Sequence, residues 1–236
     1  MDGSGWTWRR VLTWAAVVSA VQHLLVVVVS KEVIPPVLVV GVLLALGAWL
    51  LRARSGRGPA VFVLVLLVFV VVTNLVFARY DAMEWQSFPG FALAVTTFVA
   101  AFVGIFAAVV VLRRRDRVSD TARTVVLASA VLFAVLLGIN LAGTATYSDP
   151  ARGATDVSIV ARSNEWDRTA LTAPAGRVTF YADNEDTVLH NFHVKDAGTI
   201  WMPSSHAASG VMELKAGSYE FLCDVHPDMK GTLTVT

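Results

Sequence analysis

The stretch "FLCDVHPDMKG", residues 221–231, holds the single cysteine of the chain together with His226 and Met229. A thiol, an imidazole and a thioether on one short turn are three soft or borderline donors for a metal ion. Cys223 admits three readings: a buried inert thiol, half of an intermolecular bridge, or a metal ligand. Free cysteine is common as a small core residue. Exported proteins, however, use cysteines in pairs, and a lone one makes no intrachain disulfide. The neighbours favour the metal reading. A thiolate, an imidazole and a weak thioether suit copper, above all a trigonal site of one Cys and two His with a distant Met.

Such a site needs a second histidine. His190, His193 and His206 are the candidates, because His23 falls in a long apolar run. In "VLHNFHV" strand alternation groups His190 with Phe192 and Val194, the inward set, and Asn191 with His193 on the opposite face. His190 is therefore the better donor. His193 and His206, with Met202 and Met212 nearby, read as a solvated strand and loop face rather than a second copper site. Trp201 and Met202 in "IWMPSSH" either shield the metal or dock a partner, or cover the end of the fold.

The elements that must position these donors are strands. "TDVSIVA" places Val157, Ile159 and Ala161 on one face. "GRVTFYADN" follows a "PAG" turn and places Val178, Phe180 and Ala182 on one face. "VLHNFHV", "GVMELKAGSYEFLC" with a turn at "KAGS", and "GTLTVT" follow. Short alternating runs punctuated by Gly, Pro and Asn predict a small all-β sandwich or barrel over 155–236. A domain of this size has a modest core and gains from a staple such as a metal.

"HNF" followed by "GSYEFLCDVHPDMKGTLTV" resembles the cupredoxins, the type 1 blue copper family. The C-x-x-H-x-x-M spacing is similar to that of the amicyanins, and "PAGRVTFYADNED" is similar to the family's stretch before its first ligand histidine. The resemblance covers about 155–236. It implies one type 1 copper ion ligated by His190, Cys223, His226 and Met229, with Asn191 stabilising the ligand loop by hydrogen bonds. It also implies electron transfer through the edge of His226 to redox partner proteins. Asp224 and Asp228 set two carboxylates beside that histidine. The interval between His190 and Cys223 is short for the family, which predicts reduced or missing strands.

The rest of the chain is of another kind. Of 236 residues, 56% are hydrophobic and 16% charged, against roughly 25% charge in soluble domains. Apolar segments near 11–29, 33–51, 60–78, 88–112 and 124–143 are each long enough to cross a hydrocarbon core of ~30 Å. Arginines gather before the first segment (Arg9, Arg10), after the second (Arg52, Arg54, Arg57) and after the fourth (Arg113, Arg114, Arg115, Arg117, Arg123). The loops "SKE" (30–32) and "RYDAMEWQS" (79–87) are balanced, the latter setting Arg79 against Asp81 and Glu84. Positive loops stay in the cytoplasm, so five crossings put the N-terminus inside and the C-terminal domain outside. The first segment reads as a span rather than a cleaved signal, since no small-x-small site follows it. The arginines lie in short stretches flanked by apolar runs, a membrane pattern rather than a nucleic-acid-binding one.

The predicted architecture is a five-helix transmembrane bundle (1–143), a linker (144–154) and an extracytoplasmic cupredoxin-like sandwich (155–236), in a multi-pass protein of the cell membrane. The expected function is one-electron transfer at the outer face by a carrier rather than an enzyme. A copper-handling protein that buffers or delivers the metal is the alternative, and a quinol-oxidising enzyme using His23 a weaker third. His23 with Gln22 is expected to bond Asn74 or Asn140 across helices, because a haem held by two histidines would need a second one in the spans. Trp6, Trp8, Trp49 and Trp85 read as interfacial anchors, and Gly104 and Gly138 as helix-packing positions.

Overall fold

The computed structural model describes residues 5–236 except 31–32, 77, 84 and 114–117, and leaves the side chains of 79, 81 and 83 undescribed. Several loop charges counted above, Lys31, Glu32, Glu84, Arg114, Arg115 and Arg117, therefore lie outside the described residues, as do the side chains of Arg79 and Asp81.

Five described helices are long and apolar enough to cross a membrane: α1 (Trp8–Ser30), α2 (Pro35–Ala53), α3 (Gly58–Leu75), α5 (Gly90–Arg113) and α6 (Asp120–Thr146). Prolines in the first turn of α2 and of α3 sit where a missing N–H costs little. The third predicted segment ran to 78. The chain instead leaves α3 at Leu75 and forms the short α4 (Ala78–Met83), since "ARYDAM" carries charges that the preceding apolar run lacks. Val28, Val65, Phe69 and Val131 are each at least 50% exposed. Large apolar side chains this exposed on long apolar helices suit hydrocarbon better than water.

Inside the helical unit small residues let helices approach. A methyl group added at Gly104 would come within 2.4 Å of Leu67 and 2.9 Å of Ala15. Gly138 meets nothing within 4 Å, so the packing role expected for it is not found. Trp8 is buried and packs edge-on against Phe106, ring centroids 5.3 Å apart, and is a core residue rather than an anchor. Trp49 and Trp85 are exposed. His23 Nδ1 lies 2.7 Å from Ser19 O one turn earlier in its own helix, not against Asn74 or Asn140. The nearby backbone carbonyl satisfies the ring without a partner helix, and Asn74 likewise donates to Val70 O in its own helix.

The C-terminal unit is a sandwich of two sheets. One has the order β2 (Glu165–Trp166), β1 (Val157–Arg162), β4 (Gly176–Asn184), β7 (Ala207–Leu214). The other has the order β3 (Ala170–Ala173), β9 (Lys230–Val235), β8 (Gly217–Leu222), β5 (His190–Val194), β6 (Gly198–Met202). β1–β4 and β3–β9 are parallel and the remaining pairs antiparallel. The interval between His190 and Cys223, short as it is, holds the rest of β5 and the whole of β6, β7 and β8, because their connections are tight turns.

Alternation sets the core as expected. Ile159, Ala161, Val178, Phe180 and Ala182 are buried, joined by Phe192, Phe221 and Leu233. Trp166 stands edge-on to Phe192 and Phe221 at 6.0 and 6.1 Å. Phe180 and Phe192 rings lie 5.2 Å apart. Aromatic pairs of this geometry contribute ~1 kcal/mol each beyond area burial.

The segment 144–154, expected as a plain linker, is pinned to the sandwich near its β7 edge. Tyr147 Oη donates to Ala207 O at 2.9 Å, and Asp149 accepts from Ala207 N at 2.9 Å. The Asp149 carboxylate also lies 3.1 Å from His206 Nδ1, and the Tyr147 and His206 rings are 4.4 Å apart.

Candidate metal centre

The strand β5 presents His190 at its first residue, and the β8–β9 turn presents Cys223, His226 and Met229. That turn is closed on itself: Met229 N donates to His226 O and Cys223 N donates to Met229 O, both at 2.9 Å. The spacing of two and then two intervening residues thus folds one loop around a point beside the end of β5.

One ligand atom from each of His190, Cys223 and His226 lies within 4.8 Å of the others. Cys223 Sγ is 3.6 Å from His190 Nδ1 and 3.8 Å from His226 Nδ1, and the two Nδ1 atoms are 3.1 Å apart. His190 and Cys223 are wholly buried, Met229 is 3% exposed, and His226 is half-buried.

The tautomer of His190 is set from behind. Its Nε2 lies 3.0 Å from Asp186 Oδ2, a contact a neutral ring makes only as donor, so Nδ1 carries the lone pair toward Cys223 and His226. A carboxylate behind a ligating imidazole is the common means of orienting it and raising its basicity. Asp186 is itself held by the backbone N–H groups of Ser163 and Asn164 at 2.7 and 2.9 Å. Burial alone would raise its carboxyl, but those two donors and the His190 ring outweigh it and keep it below the usual range. Asn184, 1% exposed, organises the same loop. Its Nδ2 donates to Val188 O, Met202 O and Pro203 O, and its Oδ1 accepts from Asp186 N.

Asn191 ties the two ligand-bearing elements together. Its Oδ1 accepts from Asp224 N at 2.7 Å and its Nδ2 donates to Asp224 Oδ2 at 2.6 Å, from a fully buried position. His193 reaches the same carboxylate at 3.0 Å, as the shared face of residues 191 and 193 requires. His193 and His206 thus belong to separate carboxylates, Asp224 and Asp149, and Met202 and Met212 lie in the core.

Burial, with the neighbouring His226, holds His190 down to about 4, against the opposing pull of Asp186. Burial pushes the Cys223 thiol up, opposed by the backbone N–H groups of Asn191, His226 and Val225. Without a cation the cluster therefore gathers neutral donors at close quarters. A cation held there would require the Cys223 thiol to give up its proton, leaving one thiolate and two neutral imidazoles as its donors. A buried thiol and two imidazoles with Met229 on the same turn fit a copper ion by the softness of their atoms.

Asp186 and Asn184 are the functional positions that sequence reasoning missed. The available signal was an acidic residue four before His190 in "NEDTVLH", but the bond depends on how the intervening turn folds.

The C-terminal unit is thus a two-sheet sandwich of cupredoxin-like fold with a His–Cys–His cluster, buried but for His226, at one end. The family model described as "Cupredoxin-like domain" matches residues 128–235. Among solved structures, amicyanin from Paracoccus versutus (Thiobacillus versutus) is 25% identical with a TM-score of 0.31, over 36% of this chain and 85% of that chain. A reduced amicyanin with a tryptophan-to-tyrosine mutation is 22% identical with a TM-score of 0.31, over 36% and 86%. A reduced Cu(I) form at pH 4 of a proline-to-glycine amicyanin mutant is 23% identical with a TM-score of 0.30, over 39% and 88%. No curated protein matches the chain significantly.

Proposed function

We propose that the chain is a membrane-anchored type 1 copper protein that transfers single electrons on the extracytoplasmic face, with His190, Cys223, His226 and Met229 as the ligands. The convergence of one atom each from His190, Cys223 and His226 within 4.8 Å carries this reading. Bound there, copper supplies a one-electron couple. The protein holds the donor set in place for both oxidation states: β5 fixes His190 through Asp186, and the closed turn fixes the other donors through Asn191. The apolar core beneath Cys223 excludes water from the thiolate side. His226 is the one of the three clustered donors that is not fully buried, and its edge is where a redox partner would approach.

The complete burial of His190 and Cys223 supports a retained ion over the delivery alternative, which needs donors that an acceptor can reach. The domain division at 143 and 155 rests on the change from apolar to polar and then alternating sequence, and the inside-to-outside topology on the arginine loops.

Two measurements test the reading. The full chain in detergent, loaded with Cu(II), is expected to show one ion per chain and an intense visible thiolate-to-copper band that Cys223→Ser abolishes. A colourless Cu(II) complex, or colour that survives the substitution, overturns it. In intact cells, an impermeant tag-directed label should reach the C-terminal domain and not the loop at Arg54. The reverse pattern overturns the topology and leaves the metal site standing.

A further inference from the structure

The segment that follows α6 is bonded to the same part of the sandwich that supports His190. Among the described residues β7 stands at the edge of its sheet, where backbone groups on the outer side meet no further strand. At its first residue, Ala207, side chains take both groups. The C=O accepts from Tyr147 Oη and the N–H donates to Asp149 Oδ1, each at 2.9 Å. The same carboxylate meets His206 Nδ1 at 3.1 Å, and the Tyr147 and His206 rings lie 4.4 Å apart. Tyr147 and Asp149 therefore clamp the end of the turn that enters β7.

That turn, 203–206, reaches back to the loop before His190. Ser205 N donates to Asp186 O at 2.8 Å, and His206 O accepts from Asn184 N at 3.2 Å. Asn184 Nδ2 donates to Met202 O and Pro203 O at 3.1 Å each. Ser205 lies at φ 59°, a left-handed conformation that a non-glycine residue keeps only where its surroundings impose it. Those surroundings are Asp186 on one side and the clamp at His206 and Ala207 on the other. Asp186 in turn stands 3.0 Å behind His190 Nε2. Asp149, the 203–206 turn, Asp186 and His190 thus form one contiguous bonded series within the C-terminal unit, of the kind that carries coupling between side chains that do not touch. The sheet itself stands without the clamp, because β4 pairs with β7 from Gly176 opposite Leu214 to Asp183 opposite Ala207. What the clamp adds is the conformation of the turn.

We propose that Tyr147 and Asp149 are positioning residues for the metal centre: by holding the 203–206 turn they fix Asp186 behind His190. The donor strength of that imidazole then depends on the segment between α6 and β1. This rests on the reading of His190 as a copper ligand.

The test uses the full chain in detergent. Without metal, hydrogen–deuterium exchange read by mass spectrometry compares the native chain with the paired variant Tyr147→Phe, Asp149→Ala. Amides of 184–190 and 203–207 should exchange on the order of tenfold faster in the variant, while those of 223–229 keep their rate. With copper bound, the reduction potential should rise, as it should in Asp186→Asn, by about 30 mV for a roughly threefold change in relative affinity at about 60 mV per tenfold. Asp149→Asn loses the same charge as Asp149→Ala but keeps an oxygen for Ala207 N, so it should retain most of the native potential. In an Asp186→Asn background the paired substitution should add no further shift, because the route to His190 is already cut. Unchanged exchange at 184–190, an equal shift in Asp149→Asn and Asp149→Ala, or full additivity with Asp186→Asn each overturns the proposal. Tyr147→Phe alone, which loses one hydroxyl, should move both readouts the same way by less. If the paired variant does not fold, unchanged readouts in this milder one overturn the proposal instead. A chain that binds no copper sinks the function proposed above, and the metal-free exchange rates still decide whether the clamp holds Asp186.

Discussion

Replacing Asn191 with alanine should loosen the ligand turn without emptying the core. The side chain is fully buried and makes two bonds to Asp224, one accepted from its backbone N–H at 2.7 Å and one donated to its carboxylate at 2.6 Å. A neutral hydrogen bond contributes ~1 kcal/mol net and one to a charged group ~2 kcal/mol. The Asp224 side chain is 33% exposed, so water recovers part of the second term, while its backbone N–H loses the Asn191 acceptor. The expected loss is therefore about 2–3 kcal/mol, within a total domain stability of roughly 5–15 kcal/mol. The core is drawn from residues 157–235 and the segment before it bonds the sandwich through Tyr147 and Asp149, which makes a 144–236 fragment the natural object for urea unfolding, followed by the fluorescence of Trp166 and Trp201 without metal. If the turn must be ordered before the donors converge, copper affinity should fall by up to about a hundredfold. Asn191→Asp should be worse still, because it sets a carboxylate against that of Asp224. A loss under ~0.5 kcal/mol in the alanine variant, with unchanged copper affinity, would refute the idea that this side chain holds the two ligand elements together.

Asp186→Asn should raise the reduction potential of the copper-loaded protein, since the carboxylate behind His190 makes the ring a better donor to the more highly charged ion; voltammetry reads about 60 mV for each tenfold change in relative affinity. The metal-free fragment should lose stability as pH falls from about 6.5 to about 4. The unfolded chain protonates His190 in that interval and the folded one, held down to about 4, does not. Urea midpoints at the two ends of the window should separate, and His190→Gln should flatten the difference; an equal slope in that variant counts against the assignment. Gly104→Val should disrupt packing against Leu67 and Ala15 and lower the thermal midpoint of the helical unit in detergent, while Gly138→Val, with open space around it, should leave that midpoint nearly unchanged.

Much of this was legible in the residues for identifiable reasons. A strand with one buried face announces itself by alternation, as in Val178, Phe180 and Ala182, and a span by length and apolarity. The donors on the β8–β9 turn share one loop, so their proximity is a local property. His190 could be chosen over His193 because parity on β5 separates them. The unread parts depend on non-local contacts. β3, "ALTA", is too short to signal a strand, and it exists because β9 offers it a parallel partner. β6 hides behind Trp201 and Pro203, which read as loop residues. His23 had a backbone acceptor one turn away, which no side-chain inventory reveals. Asp186 stands behind His190 because Ser163 and Asn164, at φ 57° each, turn their N–H groups toward its carboxylate.

The order of donors along the chain has a consequence for biogenesis. Cys223, His226 and Met229 follow all the described helices and all described strands but β9, and their turn closes only when β9 has paired with both β8 and β3. A nascent chain that has delivered every helix to the bilayer still has no metal pocket, only a lone histidine on an incomplete sheet. If the four donors hold copper as proposed, its acquisition is a late event on whichever side of the membrane receives the C-terminal sandwich, and it depends on the ion supply of that compartment rather than of the one where synthesis began.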